Sequence, residues 1–169
     1  MIRLAEMNDL PELSDVYAAA RTYMRREGNM MQWAGDYPPA ELLCRDVAAR
    51  QLYVHAFSDG IHGVFALIPG DDPTYASIEG GSWLSNAPYA TIHRLAGDGK
   101  VPGIFRQTVA FCAQRYPHLR IDTHRDNLTM RRLIVRSGFT YCGVIHLADG
   151  APRLAYERLP DETRSPSDA

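Results

Sequence analysis

Strand-like and helix-like segments follow one another along this chain in an order that predicts one mixed sheet covered by helices. Alternating apolar and polar residues predict strands, and apolar residues that recur every three or four positions predict helices. The predicted order is β-α-α-β-β-β-α-β-α-β-β. Because hairpins and interleaved helices both occur in this order, it favours an α/β or α+β sandwich.

Turn and capping residues set the boundaries of these elements. Asn8 or Asp9 can cap the first helix, which Gly28 ends, and Pro38 opens the second. The segment 69–88 is rich in glycine and proline and has no predicted element. A loop this long in a compact domain often carries function.

The length of 169 residues predicts a single domain, over 1–158, followed by a polar, disordered tail over 159–169. No stretch approaches the ~18 apolar residues of a membrane span, and the first residues lack the apolar core of a signal peptide. Cys44, Cys112 and Cys142 are odd in number and form no C-x-x-C. We therefore expect a cytoplasmic protein without membrane contact, disulfides or a cysteine zinc site.

Positive charge is concentrated in one part of the chain. Residues 94–136 hold nine basic and three acidic groups, a net charge of +6, whereas the whole chain has a net charge of −2. The absence of an overall basic excess argues against nucleic-acid binding. The basic segment suggests an anionic ligand, although a solvated helix surface explains the same charges.

The segment Leu95–Phe105 is predicted as a strand, a glycine-rich turn and an amphipathic helix. Free backbone N–H groups and the positive dipole end at a helix start favour phosphate. Lys100, the single lysine of the chain, lies in this turn. Neither the P-loop pattern GxxxxGK[ST] nor the dinucleotide pattern GxGxxG is present. A structural turn without a ligand is the alternative.

A second segment, from Asn127 to Phe139, reads as a capped helix that runs into a strand. Taken with the glycine-rich turn, it resembles the GNAT superfamily of N-acetyltransferases over roughly residues 1–158. The family element N-x-x-A-x-x-L-Y-x-x-x-G-F is matched at Asn127, Leu133, Gly138 and Phe139. The cofactor loop Q/R-x-x-G-x-G/A is matched less well, by residues 98–103, where Asp98 replaces Gln or Arg.

This resemblance implies a mostly antiparallel sheet of about seven strands, with helices on both faces and a splayed acetyl-CoA cleft between strands four and five. Backbone at Leu95 and Ala96 would pair with the pantetheine arm. Asn127 would lie near the pantetheine or the thioester, and Met130 would be a further cofactor-binding residue. The pyrophosphate would bind at the turn, formed by Gly99, Lys100, Val101, Pro102, Gly103 and Ile104. The resemblance calls for no metal, and a homodimer is left open.

Proton transfer must be assigned to other residues, because Ile134 stands where many GNAT members have a tyrosine general acid. His93, in the fourth strand, is the first candidate for the base, since histidine titrates near neutral pH. Strand alternation would place Thr91, His93 and Leu95 on one side. His124 and Asn127 are further catalytic candidates. A structural histidine bonded to backbone is the alternative for both histidines.

Aromatic residues cluster in or beside the two long loops, where GNAT members frame the acceptor. They either contact substrate or pack the loops on the core. These residues are Trp33, Tyr37, Tyr75, Trp83 and Tyr89.

The sequence therefore predicts an N-acetyltransferase that moves an acetyl group from acetyl-CoA directly to an amine, whose identity is not readable. Such an enzyme would have two partners, acetyl-CoA and an amine acceptor, which could be a small amine, an antibiotic, an amino acid or a protein amino terminus. The alternative is a GNAT-fold module that binds acyl-CoA without turnover, which the replacement at Ile134 favours.

Overall fold

The computed structural model describes residues 1–160, so residues 161–169 of the predicted tail lie outside the described residues. Seven strands form one sheet in the order β1-β2-β3-β4-β5-β7-β6. The strands are β1 Ile2–Leu4, β2 Leu52–Phe57, β3 Gly60–Pro69, β4 Ala90–Gly97, β5 Leu119–Thr123, β6 Thr140–His146 and β7 Pro152–Arg158. The helices are α1 Leu10–Arg26, α2 Ala40–Ala48, α3 Ile104–Ala113 and α4 Leu128–Arg136. The predicted order of strands and helices and the predicted seven-stranded, mostly antiparallel sheet are confirmed.

Strands β4 and β5 form the one parallel pair in the sheet that residues 1–160 build. Only two registered pairs join them, Ala90 with Leu119 and Thr91 with Arg120. Beyond Thr91, β4 runs on to Gly97 without a registered partner on its β5 side. The two strands therefore diverge, and the carboxyl-terminal half of β4 exposes backbone groups to the gap between them.

Helices cover both faces of the sheet, as predicted. On one face α1 and α2 pack over β2 to β4, with Leu13, Val16 and Leu43 in the same core as Val54 and Val64. On the other face α3 and α4 form a second core with β3, β4, β5 and β7. The long loop between β3 and β4 covers the first face over β5 to β7. It contributes Tyr75 to a third core.

A bulge in β4 overturns the expectation that Thr91, His93 and Leu95 share one side. Arg94 has a φ of 53°, and the pairing register between β3 and β4 shifts beside it. His93 pairs with Ala66, on the α1 and α2 face, whereas Leu95 packs into the core under α3 and α4. A strand residue in the left-handed region interrupts the two-residue alternation, which is why the prediction was wrong.

Contacts from α1 and α2 hold this bulge in place. The Tyr17 hydroxyl donates to the Arg94 carbonyl at 3.0 Å, and the Arg94 guanidinium lies 2.8 Å from the Asp46 carboxylate. Both ends of that ion pair are largely buried. A backbone conformation that non-glycine residues rarely adopt is thus stabilised by contacts made far away in sequence.

The start of α3 comes close to β3 because position 63 is glycine. A Cβ atom at Gly63 would lie 2.8 Å from Ile104 Cγ2 and 3.0 Å from the His55 ring. Any larger residue would force the Ile104 side chain or the start of α3 to shift. Gly63 thereby fixes where the turn between β4 and α3 lies.

Candidate functional site

A cavity of about 1200 Å³ opens beside the diverging end of β4. It is larger than the roughly 300–1,000 Å³ of ordinary small-molecule pockets, so it suits a long ligand. Its walls come from α1, β4, α3 and α4, and the hydroxyls of Tyr23 and Thr129 are hydrogen-bonded at 2.9 Å between α1 and α4. The residues predicted to bind acetyl-CoA all line it except Pro102: Leu95, Ala96, Gly99, Lys100, Val101, Gly103, Ile104, Asn127 and Met130.

The amino terminus of α3, with its free backbone N–H groups, lines this cavity. Gly103 is the N-cap residue, with a φ of 80°, and no side chain caps the helix there. The first N–H groups of a helix have no partner within the helix. Together with the helix dipole, they form a site that favours an anion such as phosphate.

Asp98 changes the turn before this helix from the arrangement expected from the GNAT pattern. Its Oδ1 accepts the Lys100 N–H at 3.0 Å, and its Oδ2 lies 3.4 Å from the Lys100 ammonium and 2.8 Å from His62 Nδ1. Burial would raise the pKa of Asp98, but hydrogen bonds from His62 and Lys100 hold it below its ordinary value. Because the Lys100 amide is engaged inside the turn, the amides from Val101 onward are those left for a ligand.

Gln32 organises the inner end of the cavity, and sequence reasoning missed it. Its Oε1 accepts hydrogen bonds from Asn29 Nδ2 and Asn127 Nδ2, each at 2.8 Å, and from Thr123 Oγ1 at 3.4 Å. Asn127 Oδ1 accepts the Met130 N–H at 3.0 Å and so caps α4. The side chain of Asn127 is therefore fixed at both of its ends. One glutamine in a loop gives no sequence signal for such a role.

His93 pairs with Asp72, an acidic residue of the long loop between β3 and β4 that the sequence analysis did not single out. His93 Nε2 lies 2.7 Å from Asp72 Oδ2, and both side chains are about one-fifth exposed. Burial would raise the pKa of Asp72, but hydrogen bonds from His93 and Thr74 lower it strongly. His93 is not part of the cavity wall. It lies two residues before Leu95, which does line the cavity. His93 follows the last residues of β4 that pair with β5.

His124 has contacts that favour the structural alternative. Its Nδ1 accepts the backbone N–H of Asp126 at 3.2 Å, in the turn that follows β5. Burial lowers the pKa of His124, and the nearby positive charge of Arg153 lowers it further. Its place after β5 and its backbone contact explain it without a substrate.

The aromatic candidates divide into two groups. Trp33 lines the cavity and has ring contacts with Tyr17 at 5.6 Å and Tyr37 at 6.0 Å. Tyr37 borders a separate pocket of about 570 Å³. Tyr75, Trp83 and Tyr89 instead pack together beneath the long loop. Tyr75 and Tyr89 are buried, so the loop-packing interpretation suits them better than a substrate surface.

The residues considered for nucleophilic or acid catalysis are poorly placed for it. Burial raises the pKa of the Cys112 thiol to about 12, and burial and then Glu157 raise that of Cys142. Ile134 is fully buried in the core under α3 and α4.

Within residues 1–160, His, Cys, Asp and Glu side chains nowhere gather as a group of three suited to a metal ion. No helix among these residues has the length and hydropathy to cross a membrane.

Solved structures show where this architecture occurs. A GNAT-family acetyltransferase from Streptococcus agalactiae is 29% identical, with a TM-score of 0.80 and 96% of each chain covered. One from Listeria monocytogenes is 17% identical, with a TM-score of 0.69, 94% of this chain and 93% of that chain being covered. YncA from Salmonella typhimurium, solved with its cofactor acetyl-CoA, is 16% identical, with a TM-score of 0.60, 100% of this chain and 98% of that chain being covered. No family model and no curated protein matches the sequence.

Proposed function

The chain belongs to the GNAT superfamily, and we propose that it is an acyltransferase that moves an acetyl group from acetyl-CoA directly to an amine. The observation that carries this proposal is the cavity itself. It lies beside the end of β4 that diverges from β5 and is bordered by the uncapped amino terminus of α3. A long ligand with an anionic middle section fits such a site.

The residues present fit acetyl-CoA. Backbone groups of Leu95 and Ala96, on the edge of β4 that β5 leaves free, would pair with the pantetheine arm. The backbone N–H groups of Val101, Gly103 and Ile104 would hold the pyrophosphate, since Pro102 has none. Three arginines on the cavity wall add positive charge, namely Arg26, Arg106 and Arg136. When bound, acetyl-CoA supplies an activated acetyl thioester, and the protein orients it.

The acceptor must lose a proton before it can react. An alkyl ammonium has a pKa of about 10.4, so at neutral pH roughly one acceptor in a thousand carries a free lone pair. His93 is the group we assign to this proton. No Asp or Glu lies in β4 to compete with it. A backbone N–H of β4 would stabilise the negative charge that develops on the carbonyl oxygen.

A module that binds acyl-CoA without turnover is the second candidate. The buried Ile134 favours it, because its side chain has no ionisable group at the position where many GNAT members have a tyrosine general acid. The Asp72–His93 pair argues against it, because a histidine hydrogen-bonded to a carboxylate is suited to proton transfer.

Release of free thiol from acetyl-CoA in the presence of an amine panel tests the proposal. The panel should contain small polyamines, amino acids, aminoglycosides and peptides with free amino termini. Cationic acceptors should give the fastest thiol release, since the chain outside residues 94–136 and the tail has a net charge of −6. Thiol release that depends on one class of amine, with the acetylated product seen by mass spectrometry, would support an acyltransferase. Tight acetyl-CoA binding without thiol release for any amine would support the binding module instead.

A further inference from the structure

We infer that Asp72 is a positioning residue that fixes the tautomer of His93, so that Nε2 carries the ring proton and Nδ1 is the atom that takes the proton of the acceptor. This inference rests on the proposed function and deepens it. It assigns Nδ1 of His93 as the atom that accepts the proton. It also assigns Asp72, in a loop far in sequence from the cofactor motifs, as the residue that keeps the Nδ1 lone pair free.

The first step is the contact between the two residues. Asp72 Oδ2 lies 2.7 Å from His93 Nε2, a distance typical of a charge-assisted hydrogen bond. An ionised carboxylate only accepts hydrogen bonds. Nε2 must therefore donate, and in the neutral ring the lone pair is then on Nδ1.

The second step is that Asp72 is itself held in place. Its Oδ1 accepts the Thr74 backbone N–H at 2.9 Å and the Thr74 hydroxyl at 2.7 Å. Its own N–H donates to the Tyr89 hydroxyl at 3.0 Å. Tyr89 is buried in the core beneath the loop. The carboxylate thus has one oxygen committed to the loop and the other committed to His93.

The third step concerns the atom left over. Among residues 1–160, Nδ1 of His93 has no hydrogen-bond partner. Other unpartnered polar atoms are buried away from solvent, but Nδ1 is not one of them. The ring is therefore open to solvent on its Nδ1 side. The Tyr75 ring lies 6.1 Å from the imidazole, and its hydroxyl is bound to Asp122 at 2.7 Å. Neither Tyr75 nor Asp122 forms a hydrogen bond with Nδ1.

The proposed step balances as follows. Nδ1 takes one proton from the acceptor ammonium, and the imidazolium is stabilised by Asp72. The freed amine nitrogen forms a bond to the acetyl carbon while the carbon–sulfur bond breaks, its electron pair leaving on sulfur. The second proton lost by nitrogen passes to that sulfur, and the imidazolium returns its proton to water.

The substitution Asp72→Asn tests this assignment because the structure dictates how the new amide would orient. The Thr74 N–H needs an acceptor, so the amide oxygen must take the Oδ1 position. The NH₂ group then faces His93 Nε2 and donates to it. The ring proton is forced onto Nδ1, which can no longer accept a proton.

The measurement is ¹⁵N NMR of the histidine rings at pH 8, combined with steady-state kinetics, on the full-length protein. We expect the Nε2–H tautomer for His93 in the unaltered protein and the Nδ1–H tautomer in Asp72→Asn. The value of kcat should fall by about 10²-fold or more, within the usual range for loss of a general base. The affinity for acetyl-CoA should stay unchanged. Asp71→Asn, an exposed neighbour with the same charge change, is the matched control and should alter neither signal nor rate.

The outcomes separate this inference from the proposed function. An Nδ1–H tautomer in the unaltered protein would overturn the inference whatever the activity. The expected tautomers with an unchanged kcat in Asp72→Asn would overturn it as well. The expected tautomers in an unaltered protein that acetylates no amine would instead overturn the proposed function and, with it, the role of Nδ1 as base.

Discussion

His62 Nδ1 lies 2.8 Å from Asp98 Oδ2, which ties strand β3 to the turn that leads into α3. Nε2 of the same ring lies 3.1 Å from Asp59 in the hairpin between β2 and β3. Hydrogen bonds to Asp98 and then Asp59 raise the pKa of His62 above its ordinary value of 6.5. The conformation of the predicted phosphate-binding turn is thereby linked to the charge of one histidine.

This link predicts a pH dependence of stability. Because the pKa of His62 is raised in the folded protein, its stabilising contribution is complete below about pH 6.5 and is lost as the pH rises through the folded pKa. Thermal unfolding from pH 5.5 to 9 should show His62→Gln less stable than the unaltered protein at the acidic end. The difference should shrink toward pH 9. His146→Gln, at an exposed position, is the control, and a pH-independent difference for His62→Gln would contradict the prediction.

Gly103→Val should weaken acetyl-CoA binding by about tenfold, or ~1.4 kcal/mol. Gly103 has a φ of 80°, which a β-branched residue adopts only with strain, and Gly103 lines the cavity at the start of α3. Calorimetry with acetyl-CoA measures the effect. Gly150→Val is the matched control, because Gly150 has a φ of 83° in the hairpin between β6 and β7 and open space around it. Both variants should lose similar stability, and equal affinities in the two would rule out the placement of the pyrophosphate.

His93→Ala should lower kcat/KM by about 10²-fold near neutral pH, the usual effect of losing a general base. Because the side chain lies outside the cavity wall, the dissociation constant for acetyl-CoA should change little. The acidic limb of the pH–rate profile should flatten in the variant. His124→Ala provides the comparison, since its ring is engaged by the backbone of Asp126. Wild-type turnover in His93→Ala together with a large loss in His124→Ala would reverse the assignment.

Glu157→Ala should reduce the free energy of unfolding by about 3–5 kcal/mol, as expected when one partner of a buried ion pair is removed. Glu157 is fully buried, lies 2.9 Å from Arg120 and 2.6 Å from His118, and also accepts the Leu84 N–H. Its loss would leave the Arg120 guanidinium, itself nearly buried between the Trp83 and Tyr89 rings, without a carboxylate. Urea unfolding measures the change, and exposed Glu41→Ala should stay within about 0.5 kcal/mol of the unaltered protein.

Acetyl transfer should leave no acetyl-cysteine on the enzyme. A nucleophilic thiol needs a low pKa, whereas burial raises the pKa of Cys112 to about 12 and that of Cys142 above its usual value. Incubation with radiolabelled acetyl-CoA, followed by acid quenching, should give no label on the protein. Stoichiometric label that hydroxylamine releases would show a covalent route.

Periodicity and turn chemistry predict the order of the elements because both act over a few neighbouring residues. The strand, glycine-rich turn and helix from Leu95 to Phe105 are of this kind, and so is the cap at Asn127. The bulge at Arg94 is different, because Tyr17 and Asp46, 77 and 48 positions away, stabilise it. The partners that complete the site are equally remote, with Gln32 lying 95 positions from Asn127 and Asp72 lying 21 from His93. Local sequence patterns carry no information about such contacts.

The bulge at Arg94 has a consequence for how enzymes of this shape diversify. Because its geometry depends on Tyr17 in α1 and Asp46 in α2, substitutions in those helices can shift the part of β4 that lines the cavity. Selection for a new acceptor can therefore act on residues that do not contact the acceptor. A random-mutagenesis library screened for altered amine preference should return changes around these two buried anchors as well as changes in the loops.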